Sequence, residues 1–252
     1  GVLRRTVRFE DGERRVTTLR EQRFVSMNEA HLAGLKTEMT AENWAGTVRI
    51  RAALDGTVTN SGVARYRQLN GQHLEPLETG VTRDDIVFLG VRTVQSRILI
   101  AEAAWTRLYR DGKHLSPDRR TIREPGYVAY EYTVKLEERV PLTVEKIVAL
   151  YTSRDNAISE PGLEARTAVA RAGRFDELLD RHATSWANLW QRTRIRITDN
   201  RQVTRILNLH LFHLLQTVAP HIIELDAGVP PRGLHGEAYR GHIFWDELFI
   251  FP

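Results

Sequence analysis

The 252-residue chain has no cysteine and only two methionines, and among its 36 basic residues only Lys36, Lys113, Lys135 and Lys146 are lysine. Without cysteine there can be no disulfide, no thiolate metal site and no thiol nucleophile. No apolar run approaches the ~18 residues that a membrane-spanning helix needs. The opening stretch, GVLRRTVRFEDG, lacks the apolar region of a secretory signal. A cytoplasmic protein with no membrane partner is therefore expected. Because the chain begins with glycine rather than methionine, the native protein is expected to start upstream. Charge of a single sign is also missing. The 36 bases and 32 acids leave a net +4 and share the same segments. A nucleic-acid-binding face needs clustered bases, so no nucleic-acid partner is expected. The densest basic stretch, residues 116–125, reads as a solvated loop.

What is present first is alternation. In residues 46–60, Val48, Ile50, Ala52 and Leu54 alternate with polar partners, and Asp55-Gly56 reads as a turn into Val58. Residues 5–25 repeat the scheme around Asp11-Gly12. Residues 85–105 hold two strand-like runs about a polar break, Asp111-Gly112 marks a further turn, and residues 127–153 give two strands parted near Pro141. Many closely spaced strands without intervening helices predict an antiparallel sandwich.

The period changes after Pro161. Phe175, Leu178, Leu179, Trp186, Leu189 and Trp190 recur at helical spacing, and Gly173 splits the stretch into two helices. Residues 194–198 read as an extended link. Asp199 or Asn200 can cap a third helix whose apolar stripe is Val203, Ile206, Leu207, Leu211, Leu214, Leu215 and Val218, with Pro220 ending it. His210 and His213 read as packed or interfacial histidines.

The segment RGLHGEAYRGHIFWDELFIFP, residues 232–252, concentrates glycine, aromatic and acidic residues. Its glycines permit close backbone approach. The apolar character of FWDELFIFP runs all round, which predicts burial. An acid inside such a segment is costly unless it binds a partner. Trp245 beside Asp246 offers an apolar face next to a hydrogen-bond acceptor, as a sugar ring requires. Equally, Phe244, Trp245 and Phe249 could be core, and Asp246 and Glu247 ordinary helix acids. His235, Glu237 and His242 have no recognised metal-ligand spacing, so no metal is expected.

This segment closely resembles the signature of glycoside hydrolase family 65, the maltose, trehalose and kojibiose phosphorylases and related α-glucosidases. The family pattern is roughly G-L-x-G-E-x-Y-x-G-H-x-F-W-D-T-E. Gly233, Leu234, Gly236, Glu237, Tyr239, Gly241, His242, Phe244, Trp245 and Asp246 match it, whereas Glu247-Leu248 replaces Thr-Glu. Residues 22–60 resemble the family's N-terminal sandwich, and residues 206–221 its first barrel helix. The resemblance implies a galactose-mutarotase-like antiparallel β-sandwich over residues 1–158. A helical linker over 159–199 and the opening of an (α/α)6 catalytic barrel over 200–252 would follow.

The resemblance also implies an inverting phosphorylase cleaving an α-linked glucose disaccharide. No cofactor is needed beyond inorganic phosphate as co-substrate. Trp245 and Asp246 would hold the glucosyl unit, with Phe244, His242, Tyr239 and Glu237 around it. The general acid and phosphate site would lie beyond Pro252, so no catalytic residue is assigned within the chain. Members are longer, so the remainder of the protein is an expected partner, conceivably as a separate chain, in a homodimer. Two alternatives stay open: a hydrolase of the same family, and a non-catalytic carbohydrate-binding sandwich.

Overall fold

The computed structural model describes residues 1–59, 68, 70–222, 228–230, 232, 233, 239, 242–245 and 247. Its strands are β1 (Leu3–Glu10), β2 (Val16–Val25), β3 (Leu32–Ala41), β4 (Gly46–Asp55), β5 (Leu74–Val81) and β6 (Ile86–Thr93). They continue with β7 (Leu99–Arg110), β8 (Lys113–Leu115), β9 (Asp118–Glu124), β10 (Tyr127–Leu136) and β11 (Leu142–Thr152). The helices are α1 (Pro161–Arg171), α2 (Phe175–Thr193) and α3 (Arg201–Thr217).

Antiparallel pairing builds two sheets. The larger runs β1-β2-β3-β11-β7-β6-β5, with β8 on β7, and the smaller runs β4-β10-β9. Period-two alternation sorts the central strands onto two faces. Val87, Leu89 and Val91 of β6, Ala104 and Leu108 of β7, and Leu142 of β11 meet Leu54, Val128, Tyr130, Tyr132 and Val134 of the smaller sheet. The opposite faces of the same strands, with Ile86, Ala101, Ala103, Ile147 and Ala149, pack on Ala165, Val169, Ala172, Phe175 and Leu178. Strands covered on both sides read as apolar runs. Thus the sandwich is backed by α1 and the start of α2.

Two local expectations fail, each for a pairing reason. Asp55-Gly56 does not turn a hairpin. β4 ends at Asp55 because its partner is β10, in register Asp55↔Tyr127, and the Gly56 N–H donates to the Gly126 carbonyl at 2.7 Å. The stretch 116–125 is solvated as expected but is not a loop, since it contains β9, a mostly exposed edge strand on β10. Its arginines have partners there. Arg120 meets Glu131 at 3.0 Å and Arg119 meets Asp85, so exposed positive charge is smaller than the sequence suggests.

Helix boundaries follow the sequence signals. The Glu160 carboxylate caps α1 at the N–H groups of Gly162 and Leu163, with Pro161 in the first turn. Gly173, at φ +79, separates α1 from α2. There Glu145 of β11 is buried and clamps the entry to α2. It accepts from Arg174 Nη2 at 2.7 Å and from the Phe175 N–H at 3.3 Å. Arg174 in turn lies 4.0 Å over the Tyr109 ring.

Between the sheets sit two further charges, Glu102 of β7 and Lys146 of β11, whose Nζ donates to the Ala53 carbonyl at 2.5 Å. Burial holds the Glu102 carboxyl above its ordinary value of 4.5, with Lys146 opposing and Asp55 reinforcing the shift. Burial likewise lowers the Lys146 ammonium. Above 4.5, and below its raised value in the fold, the folded protein keeps a Glu102 proton that the unfolded chain has released. This group's contribution to stability is therefore greatest at low pH and falls as pH rises through that window. A Glu102→Gln variant of the full-length protein is expected to lose that slope. Urea midpoints from pH 4.5 to neutrality should fall more steeply for the parent than for the variant; parallel profiles would refute the assignment.

Contacts divide the chain into two compact units. One is Val2–Arg181, and the other is Gly1 with His182–Pro252. Among the described residues no helix is long and apolar enough to cross a membrane.

Candidate functional site

In the second unit, Asn200 caps α3 by accepting from the Val203 N–H at 3.0 Å. The extended link before it is tied to the helix, because Asn208 accepts from the Ile195 N–H and donates to its carbonyl. Trp186 of α2 packs on Phe212 of α3, ring centroids 5.0 Å apart. His213 is half-buried beside Phe212, whereas His210 is exposed. Among the described residues α3 buries only Thr217. Val203, Ile206 and Leu209 are exposed. Helix α3 gives way to a 3-10 turn at Pro220–Ile222.

Of the candidate residues, Tyr239, His242, Phe244 and Trp245 are described, while Glu237 and Asp246 lie outside the described residues. Tyr239, His242 and Phe244 form one ring cluster, with centroids 5.7 Å apart for Tyr239–Phe244 and 6.2 Å for Tyr239–His242. Tyr239 takes a left-handed backbone, φ +49.

Of the stretch expected to be buried, residues 244–252, only Phe244, Trp245 and Glu247 are described, and of these Trp245 departs from the expectation. Ile243 is 60% exposed and Trp245 75%, while Phe244 between them is half-buried. The Glu247 N–H donates to the Phe244 carbonyl, which closes a turn.

Glu247 is the residue that the sequence left without a role. Its carboxylate accepts from the Phe244 N–H at 3.1 Å and from the Val229 N–H at 3.2 Å. The first contact is the acidic half of a capping box, in which a glutamate reaches back three residues. That spacing is legible in the sequence, but the second contact, across eighteen residues, is not. Gly228 completes the junction. A Cβ there would lie 2.4 Å from the His242 carbonyl oxygen, so only glycine admits so close an approach.

A separate cavity of about 270 Å³ opens in the sandwich. It occupies the gap along β7 between the end of its pairing with β6 and the start of its pairing with β8. Several of its polar lining groups engage one another or a neighbouring ring. Arg119 pairs with Asp85, Tyr132 donates to the Thr106 carbonyl at 3.3 Å, and Arg107 stacks on Trp105.

The chain belongs to glycosyl hydrolase family 65. Residues 1–189 match the family's N-terminal domain and residues 208–252 its central catalytic domain. An uncharacterized glycosyl hydrolase of Mycobacterium tuberculosis is 46% identical over 250 residues, which is 99% of this chain and 19% of that protein. The kojibiose phosphorylase of Halothermothrix orenii is 32% identical over 264 residues, 100% of this chain and 32% of its own. The trehalose 6-phosphate phosphorylase of Lactococcus lactis is 27% identical over 237 residues, 93% of this chain and 29% of its own. A solved structure assigned as a kojibiose phosphorylase from the human microbiome superposes with TM-score 0.80 at 18% identity. It covers 98% of this chain and 31% of that one, and it supports the fold. The chain thus spans about a fifth to a third of the length of these relatives.

Proposed function

We propose that the protein is a cytoplasmic, inverting α-glucoside phosphorylase acting on an α-linked glucose disaccharide of the kojibiose, trehalose or maltose class. The observation that carries this reading is the alignment of the entire chain with proteins named kojibiose and α,α-trehalose phosphorylase. Residues 208–252 match the catalytic domain, and the exposed Trp245 within them suits sugar stacking. In this reading the indole of Trp245 covers the C–H face of the glucosyl ring and Asp246 accepts from its hydroxyls. Tyr239, His242, Phe244 and Glu237 shape the surroundings.

The chemistry needs one acid outside residues 1–252. It protonates the leaving sugar oxygen as the anomeric C–O bond breaks, while a phosphate oxygen attacks the anomeric carbon from the opposite face. Phosphate is the nucleophile, so no second enzyme carboxylate is required. Inversion at an α-linked glucose yields β-glucose 1-phosphate and the free acceptor sugar. The sandwich braces the catalytic domain and contributes to a homodimer.

The test is incubation of the full-length protein with kojibiose, trehalose and maltose, with and without inorganic phosphate. The expected result is β-glucose 1-phosphate from one of the three only when phosphate is present. Equal release of free glucose without phosphate would make the protein a hydrolase. Absence of turnover on all three would remove the reading.

A further inference from the structure

The terminal loop contains a clamp, and it is built on the residue at which the sequence departs from the family pattern. Glu247 joins two stretches that are distant in sequence, holding the Val229 N–H with one carboxylate oxygen and the Phe244 N–H with the other. The same two stretches touch at Gly228, where the close approach of the His242 carbonyl and Glu247 Oε1 leaves no room for a side chain. Two further backbone bonds, His242 N–H to the Tyr239 carbonyl and Glu247 N–H to the Phe244 carbonyl, fold the stretch between them. Each charge-assisted bond from a carboxylate to a backbone N–H is stronger than a neutral one. One of the two donors, the Phe244 N–H, immediately precedes Trp245 in the chain.

We infer that Glu247 is a positioning residue for the sugar-holding pair: it ties the backbone at Phe244, next to Trp245 in the chain, to the Gly228–Val229 stretch. The inference rests on the proposed role of that pair. It assigns no contact between Glu247 and the sugar. The carboxylate is spent on two backbone donors, which suits a part in preorganisation rather than in proton transfer. Loss of the clamp therefore weakens the grip on the glucosyl unit and leaves phosphate binding untouched.

The experiment compares Glu247→Ala, Glu247→Gln, Gly228→Ala and Asp246→Ala in the full-length protein. It reads KM and kcat for the α-glucoside, KM for phosphate, and Tm. Losing two carboxylate–backbone bonds is expected to raise the glucoside KM of Glu247→Ala roughly tenfold or more. KM for phosphate should not change. Glu247→Gln, which keeps one accepting oxygen, should fall between parent and alanine variant. Gly228→Ala, which spreads the junction from its other side, should reproduce the glucoside-specific rise. An unchanged glucoside KM in Glu247→Ala, while Asp246→Ala is impaired, would overturn the clamp alone. So would losses spread equally over both substrates together with a lowered Tm. Parent-like kinetics in Asp246→Ala, or no turnover by the parent itself, would overturn the clamp together with the reading beneath it.

Discussion

Asp246→Ala in the full-length protein is expected to lower kcat/KM about a hundredfold or more for every α-glucoside the protein uses, because hydrogen bonds to a charged acceptor contribute about 1.5–3 kcal/mol each and a carboxylate can hold two hydroxyls. The loss should be common to all substrates sharing the glucosyl unit, since the differing acceptor sugar lies on the other side of the bond. Trp245→Ala should show the same uniformity with a smaller magnitude, as stacking is less directional than a charged hydrogen bond. Steady-state kinetics on two disaccharides suffice. A penalty confined to one substrate would move the pair to the acceptor side, and unchanged kinetics would remove it from the site. The exposure of Trp245 makes this a test of recognition more than of folding, because removing a ring that is 75% exposed costs little packing.

The second large effect is on stability, at the entry to α2. Glu145 is buried and satisfies both Arg174 and the Phe175 N–H, and Phe175 and Leu178 behind it belong to the core between sheet and helices. Glu145→Ala leaves a buried N–H without its acceptor and a cation without its partner. Arg174 keeps part of its guanidinium in water, so the upper end of the range for buried pairs does not apply. A loss of about 3 kcal/mol is expected. For a unit of this size that lowers Tm by about 6–12 °C. Calorimetry of the full-length protein should show the sandwich transition displaced by that amount. A Tm within error of the parent would mean that the core alone holds α2 in place.

Much of the sandwich was legible because its strands keep strict alternation and two of its hairpins close on Asp-Gly turns. Asp11 and Asp111 each lead into such a turn, joining β1 to β2 and β7 to β8. Asp55-Gly56 carries the same dipeptide yet closes nothing, because β4 finds its partner β10 some seventy residues away. Long-range pairing leaves no local mark. Strand β9 was hidden for a different reason: it carries a single apolar residue, Ile122, among charged ones, and its Arg120 and Arg119 find partners at Glu131 of β10 and at Asp85 in the turn before β6. Helices were plain from Pro161, Gly173 and Asn200, which begin, separate and cap them.

The candidate site was legible only in part. The motif located the aromatic and acidic residues, and the structure gathers Tyr239, His242 and Phe244 into one cluster. Of the stretch expected to be buried, Trp245 is exposed and Phe244 half-buried, and most of the remainder lies outside the described residues. In the sequence Glu247 is only an acid at the point where the family pattern is broken. Its use became visible only with the Val229 N–H beside it.

The central claim is that Trp245 and Asp246 grip a glucosyl unit. Its most direct test is a crystal structure of the full-length protein soaked with the disaccharide it cleaves. The glucosyl ring should lie flat against the Trp245 indole with its hydroxyls within hydrogen-bond distance of the Asp246 carboxylate. A ring bound elsewhere, with both side chains away from it, would contradict the account.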